Sequence, residues 1–132
     1  MPRKTDSNNP ADWIWISESD LVVLADLAVR ELGYELCRGK LAEVIEKVLK
    51  AELIRQGWFL VKTHDLRVLV QELHSRDAVL ADEFNSLVAT YVDTYFTGRY
   101  PGFDLDDPDW PPLREHLAQV QALLAKVKAR IV

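Results

Sequence analysis

Apolar residues recur along this chain at three- and four-residue steps, the spacing that lines one face of an α-helix. Leu21, Leu24, Ala25, Ala28 and Leu32 form the first such stripe. Ser17 with Asp20 before it resembles a capping box, and Gly33 after it can take the left-handed conformation that stops a helix. Trp13 to Ile16 precede that start and are expected to pack back on the core as an enlarged hydrophobic staple. A second, longer helix is predicted from Tyr34 to Gln56, with Leu41, Ile45, Val48, Leu49 and Leu53 on one face and Gly57 at its end. Glu43 with Lys47 and Glu46 with Lys50 stand four apart, acid first, which predicts a solvated charged face. After the apolar link Trp58 to Val61, Thr63 is placed to cap a short third helix carrying Leu66, Leu69, Val70 and Leu73. Ser75 to Asp77 reads as a turn. The fourth stripe holds Leu80, Phe84, Leu87, Val88, Tyr91 and Tyr95, with Asp82 and Glu83 near its positive end and Gly98 as its stop. Four prolines and a glycine between Arg99 and Pro112 predict a loop. Asp109 is placed to cap a last helix, in which Leu113, Leu117, Val120, Leu124, Val127 and Ile131 alternate steps of four and three. That 3.5-residue period predicts a narrow seam against one neighbour.

No strand pattern or internal repeat competes, so the expected fold is all-α, an up-and-down antiparallel bundle of about five helices. A bundle of this kind often keeps one face for a second copy. Residues 13–132 make the single domain, and the polar, proline-containing stretch 1–12 is expected to be a flexible tail. A length of 132 residues matches one domain, and 48% hydrophobic with 28% charged residues is an ordinary globular balance. The tail lacks the apolar core of a secretory signal, and no apolar run is long enough to cross a bilayer, so no membrane contact and a cytoplasmic location are expected. The one cysteine, Cys37, is expected to be a buried apolar thiol. A net charge of -5 opposes diffuse binding to nucleic acid, which leaves a local basic site as the only route to phosphate.

Chemistry-bearing motifs are few. A glycine-rich phosphate loop, H-E-x-x-H, G-x-S-x-G and metal-spaced Cys or His pairs are missing, so no cofactor and no metal is expected. Asp104, Asp106 and Glu115 fall at three calcium-loop positions, but Pro108 replaces an oxygen ligand and Asp109 stands where the sharp turn requires glycine. His116 reads as a surface residue early in the last helix. His64 and Asp65 adjoin at a helix start, a pattern of local hydrogen bonding or of catalysis. Arg67 and His74, seven apart, share one side of the third helix. An arginine to clamp phosphate and a histidine to move a proton would suffice for metal-independent RNA cleavage; two exposed polar residues fit the same spacing.

Taken in order, Glu46-Lys47-x-x-Lys50, then Thr63-His64-Asp65-Leu66, then Arg99-Tyr100-Pro101 after Tyr91 and Tyr95 resemble the HEPN domain family, the higher eukaryotes and prokaryotes nucleotide-binding domain. The resemblance spans residues 13–131. It implies a helical homodimer acting beside a minimal nucleotidyltransferase in a toxin-antitoxin pair, binding a nucleotide or RNA. Lys47, Lys50, His64, Asp65, Arg99 and Tyr100 are the ligand-binding positions it points to. Some members are metal-independent ribonucleases with four to six residues between an arginine and a histidine, for which Arg67 and His74, with six between them, are the candidates here. Others are noncatalytic binding or interaction modules. Ala42 and Glu43 stand where the branch sharing these strings commonly has paired glutamines.

Overall fold

The structure, a computed structural model, describes residues 7–94 and 107–131. Tyr95, Gly98, Arg99, Tyr100 and the acidic loop positions Asp104 and Asp106 lie outside the described residues. Among the described residues there are five helices and no strand, as the periodicity predicts.

Helix α1 runs Pro10–Arg30, seven residues ahead of the expected start. The Asn9 side chain accepts from the Ala11 amide, and Pro10 sits at the first helical position, where a missing N–H is tolerated. Residues 10–12, expected in the tail, are therefore helical, and Trp13 Nε1 donates to the Ser7 carbonyl at 2.8 Å. Ser17 caps nothing, since it is buried in mid-helix and its hydroxyl donates back to the Trp13 carbonyl at 2.8 Å. Glu31 takes the left-handed turn at φ +56° that ends α1, and Gly33, at φ +65°, opens α2 instead.

Helix α2, Tyr34–Arg55, is the central element, and every other described helix packs on it. Val44, Ile45, Val48, Leu49, Ala51 and Leu53 are sealed from water. Burial on all sides is why the predicted charged face fails at Glu46 and Lys50, which are only 7% and 4% exposed. The mean pattern of a helix covered all round carries no polar stripe. Cys37 is buried as expected, and burial pushes its thiol pKa up.

Helix α3, Leu66–Arg76, is capped by Asp65, whose Oδ1 accepts from the Arg67 amide at 3.0 Å; Thr63 acts one step earlier, accepting from the Asp65 amide at 3.1 Å. The predicted turn at 75–77 shrinks to Asp77, which ends α3 and caps α4, Ala78–Tyr91, through Leu80 N at 3.1 Å. Helix α5, Trp110–Arg130, carries Pro111 and Pro112 in its first turn, and Asp109 is its N-cap without a side-chain hydrogen bond. Its apolar stripe meets both α1 and α2, so the seam has two neighbours where the 3.5-residue period predicts one.

Cross-helix contacts give the directions. Lys128 with Glu18 and Arg114 with Glu31 run α5 antiparallel to α1, and Lys126 with Glu83 and His116 with Tyr91 run it antiparallel to α4. Residues 56–65 carry the chain back along α2, so that His64 meets Glu46 while Arg76, at the far end of α3, reaches the Gln56 carbonyl. This return run brings the His64-Asp65 turn beside the middle of the central helix.

Candidate functional site

Two polar constellations adjoin on α2. The first centres on Glu46. Its Oε2 accepts from Lys50 Nζ at 2.9 Å and its Oε1 meets His64 Nδ1 at 3.0 Å, while Lys50 Nζ lies 5.5 Å from the centre of the Trp13 ring. A buried ammonium is tolerable only when paired, and here a carboxylate and an aromatic face do the pairing. Lys50 is thereby committed to holding α1 on α2. Lys47 reaches Asp20 Oδ2 at 3.4 Å and joins the same two helices nearer the surface. Asp65 is occupied as a cap and also accepts from Arg67 Nε at 3.3 Å. The gap walled by Ala42, Glu43, Glu46, His64, Leu66 and Tyr91 holds only about 10 Å³, room for a water and nothing larger.

The second constellation is roomier. Tyr34 and Arg38 stand one turn apart at the start of α2, Tyr91 ends α4, and His116 faces it from the second turn of α5. They line a cleft of about 260 Å³ whose other walls include Thr90, Asp107, Asp109 and Leu113. The Arg38 guanidinium carbon lies 6.0 Å from the Tyr34 ring centre and 5.8 Å from that of Tyr91, so the cation is held between two aromatic rings. Tyr34 is in turn fixed edge-on to Trp110 at 5.3 Å between centres. Tyr91 Oη and His116 Nδ1 are 2.9 Å apart. Burial pushes the Tyr91 phenol up and pulls the His116 imidazole below its ordinary value, so near neutral pH both are uncharged. In the tautomer with its proton on Nε2, His116 accepts from the phenol and keeps an N–H to offer. This combination can stack a planar group, bind an anion with Arg38, and donate or accept at an imidazole edge. Tyr91 also walls the narrow gap beside His64, so the two constellations meet at one side chain.

Of the positions expected from the sequence, His64, Lys50 and Lys47 gather around the middle of α2, and Asp65 stays at the α3 cap. Arg67 and His74 are both exposed on α3, and neither lines the two clefts described. Arg99 and Tyr100 lie outside the described residues. Sequence reasoning missed Arg38 and placed His116 at the surface. A usable signal for Arg38 was Tyr34 four residues before it, the helical spacing for an aromatic–cation pair. For His116 there was none, because its partner is 25 residues away on another helix.

A third cluster closes the far end of the bundle. Glu52, with 0% exposure, accepts from Arg55 at 2.9 and 2.7 Å, from Gln56 at 2.9 Å and from Arg130 at 3.0 Å. Arg130 also reaches Asp77 Oδ2 at 3.2 Å. Burial alone would raise the Glu52 carboxyl, but the donors outweigh it and hold its pKa low. The cluster ties α2, α5 and the α3–α4 junction together.

Compared with known families, residues 11–129 match the HEPN domain model. No curated protein and no solved structure matches the chain.

Proposed function

We propose, from the premise that this chain belongs to the HEPN domain family, that it binds a nucleotide or an RNA phosphate in the Tyr34–Arg38–Tyr91–His116 cleft and does no chemistry on it. The observation that carries this reading is Arg38 held between two tyrosine rings beside an uncharged histidine, in a space of about 260 Å³. The lining sets one cation, Arg38, against Asp107 and Asp109, so a phosphate is recognised by direct pairing with the guanidinium and not by an excess of positive charge. A base stacks on a tyrosine face while its phosphate pairs with the guanidinium. Thr90 and Tyr91 on one side and Asp107 on the other line this cleft, and Arg99 and Tyr100 stay ligand positions on the family resemblance alone.

The protein acts as a homodimer and as the accessory partner of a minimal nucleotidyltransferase in a toxin-antitoxin pair, the arrangement the family resemblance implies. Of the other expected ligand positions only His64 lines the narrow gap that shares Tyr91 with the cleft, and Lys47 and Asp65 line neither space. The ribonuclease alternative on Arg67 and His74 draws no support from a shared cavity. Among the described residues no helix is long and apolar enough to cross a membrane.

Fluorescence anisotropy of labelled mononucleotides and short RNA tests the reading. Saturable binding that weakens about tenfold or more in Arg38→Ala, the loss of one charge-assisted contact, is expected. Absence of binding at millimolar ligand, with and without a nucleotidyltransferase partner, refutes it.

A further inference from the structure

Helix α1 buries Ile14, Ser17, Leu21, Leu24 and Ala28 against the bundle, yet its outer side carries large apolar residues alongside Ser19, Asp26 and Arg30. Trp15 is 71% exposed, Val22 72% and Val29 78%, and Val23 is exposed beside them. The first three are seven apart, which puts them on one line about 10.5 Å from each to the next along the helix. Asp26 and Arg30 are the only charged residues exposed between Pro10 and Arg30, and they lie within 3.8 Å of each other as an ion pair. Four large apolar residues in water beside a single ion pair make a patch of the kind that marks a contact surface.

We infer that this outer stripe of α1 is the surface on which a second copy of the chain docks, α1 against α1 in antiparallel alignment about a two-fold axis. The spacing is self-complementary, as an isologous contact requires. An axis across the Val22–Val23 step sets Val22 of one copy against Val23 of the other, Ser19 against Asp26, and Trp15 against Arg30. No like charges oppose each other, the hydroxyl meets a carboxylate, and the indole meets a guanidinium. Trp15, Val22, Val23 and Val29, with the exposed Leu32 and Leu36 at the following turn, leave on the order of 400 Å² of apolar surface in water. A standard interface of about 800 Å² per partner is a little over half apolar, so the stripe supplies close to what one side needs. The inference takes from the proposed function only that the protein pairs; it adds which surface does so, and it stands whether or not the cleft binds a nucleotide.

Light scattering after gel filtration reads the mass directly. The wild type is expected at twice the 15.1 kDa of one chain. Val22→Glu is expected at the mass of one chain with an unchanged far-UV spectrum, and Val79→Glu, at an equally exposed valine on α4, is expected to stay paired. Oxidation of Val22→Cys is expected to give a covalent pair and that of Val79→Cys none. A wild-type mass of one chain overturns both the pairing and this surface. A pair that survives Val22→Glu, that Val79→Glu splits as readily, or that Val22→Cys does not cross-link overturns the surface alone.

Discussion

Replacing Glu52 with glutamine perturbs one buried atom group and little else, because the side chain keeps its shape and loses its charge. Three of the four hydrogen bonds it accepts come from guanidiniums, two from Arg55 and one from Arg130. A hydrogen bond to a charged group contributes about 1.5–3 kcal/mol when buried. Both guanidiniums are about a third exposed and can return to water, so each contact is worth less than that here. Arg130 also keeps Asp77 as a second acceptor. The net loss expected for Glu52→Gln is about 2–4 kcal/mol, which for a chain of this length lowers Tm by roughly 6–12 °C. The pH dependence adds a second readout. A carboxyl whose pKa is lower folded than unfolded takes up its proton more readily when unfolded. The Glu52 contribution is therefore complete above its unfolded value of 4.5 and fades as pH falls through the lower folded value. Melting curves followed by far-UV circular dichroism should show the wild type and Glu52→Gln far apart near neutral pH and converging in acid. A Tm change under about 2 °C at neutral pH, or a gap that does not close in acid, would refute the reasoning that this carboxylate latches α2 to α5 and the α3–α4 junction.

Lys50→Met leaves the buried Glu46 carboxylate with His64 and no ammonium, and is expected to destabilise the fold by about 3 kcal/mol, with Glu46→Leu in the same chain recovering most of it. Chemical denaturation of the single and double variants measures this, and equal loss in both would contradict it. RNA incubated with wild type and with His74→Ala is expected to come through equally intact, since His74 is exposed and lines neither cleft; cleavage by the wild type alone would reinstate the ribonuclease reading.

The helices were legible because their apolar residues keep helical spacing, and α2 through α5 begin close to where that spacing starts. The beginning of α1 was obscured by competition between two start signals. Ser17 has the residue type of a cap, but Asn9 followed by Pro10 supplies both the acceptor and the fixed φ that a first turn needs. The nature of the Glu46–Lys50 pair was not legible. An acid and a base four apart look alike on a solvated helix and on one covered all round, and only the packing of the other described helices on α2 decides between them. The cleft was hidden for the same reason. Its four principal residues come from three helices, and Tyr91 looked like one more apolar position in the cleanest stripe of the chain. The ordered strings around His64 lead instead to the narrow gap beside Glu46, which shares the Tyr91 side chain with the cleft.

The three histidines report on three different places, so one experiment weighs the central claim against its rivals. His116 lines the cleft, His64 touches Glu46 in the adjoining groove, and His74 stands exposed on α3. Imidazole nitrogen resonances followed by NMR during titration with a mononucleotide should show His116 moving first and furthest, in a saturable manner, with His74 still. Saturable binding that leaves His116 unmoved, or that moves His74 instead, would contradict the account.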